Sequence, residues 1–596
     1  MKQLMTGDEA VARGAYEAGV HFASAYPGTP STEIMENLAS YPEIKAEWAP
    51  NEKVAAEAAI GASIAGGRSM ASMKHVGVNV AADPIFTFAY TGVNGGMVLV
   101  SADEPGMHSS QNEQDNRNYA KAARIAMLEP SDSQECKDMA RAAFDLSERF
   151  DTPVMLRLTT RVCHSKGIVE CAPRKEAPIK PYVKNVDKYV TVPAHSRVLR
   201  YAVEKRTEAL REYSNNCEWN RTEYNPGTTG VIASGVACCY AKEVFGDSVS
   251  YLKLGFTWPL PDRLITEFCE KMETVYIIEE NDPYIEDEVR RLGFHPHGRD
   301  TFPFTGELMP DVIRQSVYGS HRETIEYDKA KVLPRPPMLC AGCPHRGFFY
   351  ELGKLKNVMF AGDIGCYTLA SAPPYNALDF NICMGASLSA GHGAQTVFDL
   401  NKGCGTRVVA VLGDSTFFHT GIPSLIEVAY NNSNSINVIL DNRITGMTGH
   451  QENPGSGYNA KGEPAAAIDL ETMVRACGIK NVRVVNPNDL AAVRETLSWA
   501  LSLDAPSVII TRWPCVLKRF SKEDREEFPD AFKTRVAIDP ARCIGCKICL
   551  KCGCPALSYS PAAKQVVVDR NQCVGCGVCS QICPKSAIVE EEKAHA

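Results

Sequence analysis

The sequence predicts an α/β protein with three doubly wound sheets, followed by a small cysteine-rich domain. Apolar, strand-like runs alternate with Ala-rich helical stretches along most of the chain, which is the pattern of α/β units. Two Pro-rich stretches, 173–188 and 333–337, divide these runs into three groups. Nine of the 23 cysteines lie between positions 543 and 583, so the last part of the chain is a specialised module.

Domain limits follow from these boundaries and from the apolar strands between them. At 596 residues the chain is too long for one hydrophobic core, and a prior of about 150 residues per domain suggests about four domains. Predicted strands lie at 97–100, 229–233, 274–279, 408–413, 436–440 and 507–511. The predicted domains are 1–180, 190–325, 335–520 and 535–596.

The composition argues against several classes of partner and location. The chain has 44% hydrophobic residues, 22% charged residues and a net charge of -8, so neither nucleic acid nor an anionic membrane is expected as its main partner. No apolar run reaches the roughly 18 to 20 residues that cross a bilayer, and Met1–Asp8 lacks the apolar core of a signal peptide. We therefore expect a cytoplasmic protein with reduced thiols.

The C-terminal cysteines have the spacing of two [4Fe–4S] sites. The run Cys573-x2-Cys576-x2-Cys579-x3-Cys583-Pro584 is that of bacterial two-cluster ferredoxins, in which the cysteine before proline binds the other cluster. The preceding half departs by one residue, because Cys554-Pro555 follows after four intervening residues and Cys552 is an extra thiol. We predict Cys554 as the ligand because it keeps the proline. Cluster one then has Cys543, Cys546, Cys549 and Cys583, and cluster two has Cys573, Cys576, Cys579 and Cys554.

This tail is similar to two-cluster bacterial ferredoxins, which implies a ferredoxin-like α+β domain with two [4Fe–4S] clusters. Paired Cys-x2-Cys units also bind structural zinc. Eight cysteines in two triplet-plus-one runs favour iron–sulfur clusters. The tail therefore predicts that electrons leave the protein one at a time.

Polar residues follow two apolar strands of the third predicted domain. Gly413-Asp414-Ser415 comes after strand 408–412, and Asp441-Asn442 comes after strand 436–440. This order resembles the thiamine diphosphate motif, in which a small turn lets the backbone approach a diphosphate and hard oxygen ligands hold Mg²⁺. The resemblance implies a cofactor turn at Gly413, Asp414 and Ser415, and magnesium ligands at Asp414, the Asn442 side chain and the Ile444 carbonyl.

Thiamine chemistry also needs a carboxylate that hydrogen-bonds the aminopyrimidine ring. The segment 51–62 resembles the family feature of a Glu that opens an Ala/Gly-rich helix, and it points to Glu52. Glu57 is the rival on the same helix. A solvent-facing acid at a helix N-terminus is the alternative without catalytic meaning.

The segment Tyr26-Pro27-Gly28-Thr29-Pro30-Ser31, the thiamine motif and the ferredoxin tail together resemble the pyruvate:ferredoxin oxidoreductase superfamily along most of the chain. In that superfamily the loop meets the 2-oxo acid, which implies a catalytic contact through Thr29. The order of the parts, with pyrimidine-binding, transketolase C-terminal-like, diphosphate-binding and ferredoxin domains, is most similar to the α subunits that oxidise indolepyruvate.

This resemblance implies a reaction and a set of partners. Indolepyruvate, coenzyme A and two oxidised ferredoxins would give indoleacetyl-CoA, CO₂ and two reduced ferredoxins. The implied partners are a small β subunit in an α2β2 assembly, an external ferredoxin, an aryl 2-oxo acid and coenzyme A. Two alternatives stay open: a different 2-oxo acid such as phenylglyoxylate or a branched-chain acid, or an electron-transfer subunit with a vestigial thiamine fold.

Gly28 predicts a preference for aryl pyruvates over pyruvate. It stands where relatives that resemble pyruvate enzymes carry a bulky aliphatic residue, so the missing side chain would make room for an aromatic substrate. The alternative is that the glycine serves only the turn.

Four further cysteines predict a third [4Fe–4S] cluster beside the thiamine cofactor. They resemble the proximal-cluster ligands of the superfamily in order and in local setting, and they are Cys340, Cys343, Cys366 and Cys515. A substrate oxidised one electron at a time needs a nearby acceptor. The alternative is that Cys340 and Cys343 only pack at the start of the third domain.

Overall fold

The structure, a computed structural model, describes residues 1–323, 325–401 and 403–592. The chain forms two compact units, Met1–Tyr327 and Asp328–Ala596. Each unit is built on a largely parallel sheet whose strands alternate with helices, so the predicted α/β class is confirmed. Within the described ranges, no helix is both long and apolar enough to cross a membrane.

Unit one comprises the first half of the chain. Its strands are β1 (Lys2–Met5), β2 (Phe22–Ala25), β3 (Lys45–Trp48), β4 (Ser69–Lys74), β5 (Met97–Asp103), β6 (Ala126–Leu128), β7 (Val154–Thr159), β8 (Gly167–Glu170), β9 (Arg221–Glu223), β10 (Thr229–Ser234), β11 (Ser250–Leu254), β12 (Phe256–Trp258) and β13 (Thr274–Ile278). Its helices are α1 (Gly7–Glu17), α2 (Thr32–Ala39), α3 (Glu52–Ile64), α4 (His75–Val80), α5 (Ala82–Thr91), α6 (Arg117–Ala123), α7 (Ser133–Phe150), α8 (Thr160–His164), α9 (Val186–Tyr189), α10 (Pro193–Asn216), α11 (Gly235–Phe245), α12 (Asp262–Cys269), α13 (Tyr284–Arg291) and α14 (Pro310–Tyr318), with a 3-10 turn at Gly246–Ser248.

A seven-stranded sheet forms the core of unit one, in the order β12-β6-β7-β5-β4-β2-β3. Its strands run parallel except β12, which pairs antiparallel with β6. Every residue of β5 is buried, as expected for a strand covered on both faces. Ala25 pairs with both Trp48 and Ser72, so the carboxyl ends of β2, β3 and β4 lie side by side. Residues that follow these strands therefore share one edge of the sheet.

A second sheet of unit one has the order β13-β10-β11-β9. Strand β10 runs parallel to both β11 and β13, whereas β9 is antiparallel to β11. Strand β12 follows β11 directly but pairs with the first sheet. The part of the chain after residue 190 thus contributes strands to both sheets, and the short strands β1 and β8 form a separate antiparallel pair.

Unit two comprises the remaining elements. Its strands are β14 (Val358–Ala361), β15 (Arg407–Gly413), β16 (Ile436–Asp441), β17 (Asn481–Val485), β18 (Ser507–Arg512), β19 (Thr534–Ile538), β20 (Leu557–Ser560), β21 (Gln565–Val568) and β22 (Ile588–Glu592). Its helices are α15 (His345–Leu352), α16 (Ala386–Leu400), α17 (Asp414–Thr416), α18 (Ile422–Tyr430), α19 (Leu470–Ala476), α20 (Leu490–Leu501), α21 (Lys522–Glu527) and α22 (Val578–Ile582), with 3-10 turns at Lys329–Lys331, Cys366–Ser371 and Ile548–Cys552 and a π-helical turn at Phe417–Gly421.

The larger sheet of unit two is fully parallel, in the order β14-β15-β16-β18-β17. Strands β15 and β16 are Val-, Ile- and Leu-rich and almost completely buried, as parallel strands with helices on both faces must be. The ferredoxin-like tail has two antiparallel pairs, β19 with β22 and β20 with β21. Its core includes cysteines as well as aliphatic side chains, and Leu490 of α20 belongs to the same cluster.

Candidate functional site

In unit one, the two glutamates proposed for the same role have opposite environments. Glu52 is 4% exposed at the first turn of α3, where the Asn51 side chain caps the helix by accepting from the Val54 N–H at 2.9 Å. Its carboxylate packs against Gly77, where a Cβ atom would lie 2.8 Å from Oε1. Glu57 is exposed and pairs with Lys53. Burial therefore favours Glu52 as the group that meets a cofactor.

Lys74 lies beside Gly28 at the same edge of the sheet. The lysine ends β4, its side chain is 13% exposed, and its ammonium is 4.0 Å from the Glu104 carboxylate. Burial lowers the pKa of Lys74, while Glu104 and Glu52 act to raise it. A Cβ atom at Gly28 would lie 3.1 Å from Cγ and Cδ of Lys74. The space beside Gly28 is thus filled by the lysine stem, which differs from the open space expected from the sequence.

Thr29 follows Gly28 in the loop after β2 and is partly buried. The Ser31 hydroxyl donates to the Gly28 carbonyl at 2.9 Å, which closes the loop as a turn. Lys74 ends β4, and Glu52 begins α3, the helix that follows β3. The loop after β2, a partly buried cation and a buried carboxylate therefore lie at this edge of unit one. Such an edge is where ligands bind in parallel α/β sheets.

In unit two, the predicted magnesium ligands lie at the ends of two paired strands. Asp414 is buried directly after β15, and Asn442 follows β16, which pairs with β15 up to Gly413 and Leu440. The Thr445 hydroxyl donates to the Ser415 hydroxyl at 3.0 Å and ties the two segments together. The Asn442 side-chain oxygen accepts from the Ile444 N–H at 3.2 Å.

The chemistry of this donor set fits a small, hard cation. Burial, with Asp441 as the next cause, raises the pKa of Asp414 to about 8. Asp441 is held by the Arg512 guanidinium at 2.8 Å. The predicted set consists of a carboxylate, an amide oxygen and a backbone carbonyl, which are oxygen ligands of the kind that Mg²⁺ takes.

Sequence reasoning missed Asp363, which follows β14 at the same edge. It is fully buried, and its carboxylate accepts from the backbone N–H groups of Gly385 and Ser387 at 2.9 and 3.0 Å. Burial raises its pKa to about 6. The carboxylate thereby anchors the start of α16 next to the proposed cofactor turn. The signal in the sequence was a short apolar strand before a lone Asp, which is weak by itself.

The structure brings the four cysteines of the predicted third cluster together. Burial, together with the smaller effects of the neighbouring Cys515 and Cys340, raises the pKa of the Cys366 thiol to about 11. Cys366 and Cys515 act in the same direction on Cys343. The Cys515 N–H donates to the Asn442 carbonyl at 3.0 Å, so this group of thiols adjoins the proposed magnesium ligands.

Two pockets in the tail separate its cysteines into two sets. The lining of the first includes Cys543, Cys546, Cys549 and Cys583. The lining of the second includes Cys554, Cys573, Cys576 and Cys579. Backbone N–H groups of Ala587 and Val536 point at the sulfurs of Cys583 and Cys573, at 3.3 and 3.4 Å. Four thiols around a largely apolar pocket, with N–H donors to sulfur, fit an iron–sulfur cluster.

Cys552, the extra thiol of the tail, is not among the residues that line the second pocket. It is 1% exposed. Its carbonyl oxygen accepts from Arg346 at 2.8 Å and from the Tyr375 hydroxyl at 2.6 Å. The backbone of this additional residue thus contacts two side chains from the part of unit two that contains the parallel sheet.

Three family models match separate parts of the chain. The model described as pyruvate flavodoxin/ferredoxin oxidoreductase, thiamine diP-bdg, matches residues 13–222. The thiamine pyrophosphate enzyme, C-terminal TPP binding domain, matches residues 363–511. The 4Fe-4S dicluster domain matches residues 535–584.

Relatives match nearly the whole chain. The indolepyruvate oxidoreductase subunit IorA of Archaeoglobus fulgidus is 41% identical over 615 residues, which cover 94% of this chain and 98% of the relative. The subunit of the same name from Pyrococcus abyssi is 40% identical over 98% of this chain and 96% of its own length. A solved 2-oxoglutarate:ferredoxin oxidoreductase from Magnetococcus marinus aligns with 53% of this chain and 65% of its own, at a TM-score of 0.45 and 18% identity.

Proposed function

The chain belongs to the family of indolepyruvate oxidoreductase subunits IorA, and on that premise we propose that it is the α subunit of an indolepyruvate:ferredoxin oxidoreductase. Indolepyruvate, coenzyme A and two oxidised ferredoxins would give indoleacetyl-CoA, CO₂, two reduced ferredoxins and the proton lost by the coenzyme A thiol. The single observation that carries the proposal is the similarity over 94% of the chain, combined in one polypeptide with the thiamine-type and dicluster domains.

The residues of the two sites suit the parts of this reaction. Thiamine diphosphate, when bound, supplies a carbon nucleophile that adds to the keto carbon and takes up the electron pair released with CO₂. Asp414, Asn442 and the Ile444 carbonyl would hold Mg²⁺ against the diphosphate. Glu52 would hydrogen-bond the aminopyrimidine and move its proton, a role that suits a buried carboxylate.

The loop and the lysine of unit one suit the substrate. Thr29 would contact the 2-oxo acid. Lys74 would bind its carboxylate, since this ammonium donates no hydrogen bond to the residues that the structure describes and meets Glu104 only at 4.0 Å. Every 2-oxo acid carries a carboxylate, and a partly buried cation next to the loop can bind it through charge-assisted hydrogen bonds.

Electron transfer is assigned to the cysteines of unit two. Clusters held by the two tail sets and by Cys340, Cys343, Cys366 and Cys515, when bound, supply one-electron acceptors. The proposal includes a third cluster, supported by the mutual proximity of these four thiols and by the contact of Cys515 with Asn442. An external ferredoxin would take the electrons from the tail.

The proposed assembly and location follow the family. A small β subunit would complete an α2β2 enzyme, and coenzyme A would accept the acyl group. We further infer a reducing, cytoplasmic location, since none of the 23 cysteines forms a disulfide.

A substrate screen with the anaerobically purified complex tests the proposal. We expect bound thiamine diphosphate, and viologen reduction that needs coenzyme A and is fastest, by kcat/KM, with aryl pyruvates. A higher kcat/KM for phenylglyoxylate or a branched-chain 2-oxo acid would reassign the substrate. Clusters that dithionite reduces while no 2-oxo acid does would contradict the enzyme and leave an electron-transfer subunit.

A further inference from the structure

Arg346 is a buried cation in unit two that lies between two sets of cluster cysteines. It follows the Cys340-x2-Cys343 segment in α15 and is 1% exposed. Its guanidinium donates to the carbonyl oxygens of Leu339 and Cys340 at 2.6 and 2.7 Å, and to that of Cys552 at 2.8 Å. The guanidinium therefore connects the segment of the predicted third cluster with the tail.

The charge of Arg346 has no carboxylate partner among the residues that the structure describes. Its hydrogen-bond acceptors are three backbone carbonyls and the Tyr375 hydroxyl, at 2.7 Å. Its Nε atom is buried without an acceptor. A buried charge is costly unless an opposite charge compensates it, and neutral oxygens do so only in part.

The ionisable groups that act most strongly on Arg346 are three thiols and one phenol. Burial lowers the pKa of the guanidinium, but Tyr375 and the thiols of Cys554, Cys343 and Cys552 outweigh burial and raise the pKa above its ordinary value. Cys343 belongs to the predicted third cluster and Cys554 to cluster two. With clusters bound, these two thiols would be metal-bound thiolates, so two anionic clusters would be attached to the segments that Arg346 connects.

We propose that Arg346 is the counter-charge shared by the third cluster and cluster two, and that it raises the reduction potential of both. Reduction adds one negative charge to a cluster. A fixed cation nearby stabilises the reduced state more than the oxidised state, and local charge is one of the factors that set cluster potentials. The extra residue of the first cysteine run supports this role, because the Cys552 carbonyl anchors the guanidinium.

The proposal rests on the cluster ligands of the proposed function, and a redox titration separates the two. Full-length protein is purified anaerobically, and its clusters are followed by EPR during a potentiometric titration. Wild-type protein without EPR-active clusters would defeat the proposed electron-transfer function itself. Clusters that are present, with potentials that ignore residue 346, would defeat only the present proposal.

The variants separate charge from hydrogen bonding. We expect Arg346→Met and Arg346→Gln to lower the potential of at least one cluster by a tenfold or larger change in its reduction equilibrium, which is about 59 mV for one electron. Arg346→Lys should stay near wild type because it keeps the charge. Tyr375→Phe is the matched control, since it removes the hydrogen bonds of the Tyr375 hydroxyl with Arg346 and with the Cys552 carbonyl but changes no formal charge.

Iron content decides how the variants are read. If Arg346→Met cannot hold its clusters, the comparison of Arg346→Gln with Arg346→Lys carries the test, because both keep a donor at this position. Potentials of Arg346→Gln that equal wild type at full iron content overturn the proposal. A shift in Tyr375→Phe as large as that in Arg346→Gln also overturns it, because geometry rather than charge would then set the potential.

Discussion

Buried arginines differ in their partners between the two units. In unit one, Arg117 donates to Asp115 and Glu279 at 2.6 and 2.7 Å, and Arg157 donates to Asp103 and Glu129, both at 2.8 Å. In unit two, Arg346 has only neutral acceptors among the described residues. The first pattern is a network in which the chain neutralises its own charge. The second is a buried charge that, by our proposal, the bound clusters would neutralise.

The largest expected effect concerns Glu52, the buried carboxylate of unit one. Glu52→Gln should lower kcat by about 100-fold or more, as expected for a lost acid–base group, while thiamine diphosphate should still bind because the proposed magnesium ligands belong to unit two. Steady-state rates and cofactor content of the complex measure this. Glu57→Gln is the control, and near-normal activity of Glu52→Gln would remove the assignment.

A substitution in the arginine–carboxylate network of unit one should lower the free energy of unfolding and leave the cluster reduction potentials unchanged. Arg117→Met leaves Glu279 buried without its cation and Asp115 with only Arg157, at 3.9 Å, and we expect the free energy of unfolding to fall by about 3–5 kcal/mol. Denaturant unfolding of the full chain measures it. Cluster potentials should stay unchanged in this variant. A loss below about 1 kcal/mol would mean that water or rearrangement replaces the cation.

Iron content tests the third cluster, which is one of the two clusters proposed to share Arg346 as their counter-charge. Three [4Fe–4S] cubes require about twelve irons per chain, and Cys515→Ala should reduce this to about eight. Cys477→Ala is a matched control, since Cys477 packs in a hydrophobic cluster of the same unit. A wild-type value of eight, with an unchanged EPR spectrum in Cys515→Ala, would rule the third cluster out.

The smallest expected effect concerns Gly28 and Lys74. Gly28→Val places atoms where the lysine stem lies, and overpacking of this kind costs about 1 kcal/mol or more, or roughly a fivefold rise in KM. If Lys74 binds the substrate carboxylate, this rise should be equal for aryl pyruvates and pyruvate and absent in a Lys74→Met background. A rise for aryl pyruvates alone would restore the idea that glycine makes room for the aromatic ring.

The sites that could be predicted from the sequence are those whose residues follow one another at short, regular spacings. The cysteine runs and the strand-turn pairs at Asp414 and Asn442 each lie within a short stretch, so their patterns could be read directly. The α/β class followed from the alternation of strands and helices in the same way. Placing Cys515 beside Asn442 required a resemblance, because the contact depends on the order of strands in the sheet.

Other features depended on packing between distant segments. Lys74 fills the space beside Gly28 from a strand that lies far along the chain, and Asp363 anchors α16 through backbone N–H groups at Gly385 and Ser387. Neither has a spacing motif. Strand β12 pairs with the first sheet rather than the second. A strand of three residues is too short to show a hydrophobic periodicity from which its partner could be predicted.

The contact between Gly342 and the tail bears on how such enzymes can be rebuilt. A Cβ atom at position 342 would lie 2.0 Å from a methyl group of Val574, and the backbone there has a φ of +75°. The ferredoxin-like tail therefore packs closely against position 342 of its own chain, and it cannot be exchanged without regard to that contact. A transplanted ferredoxin would fit only if it offered the same small surface to this loop, so gene fusions that exchange tails should be designed with position 342 and its neighbour as a pair.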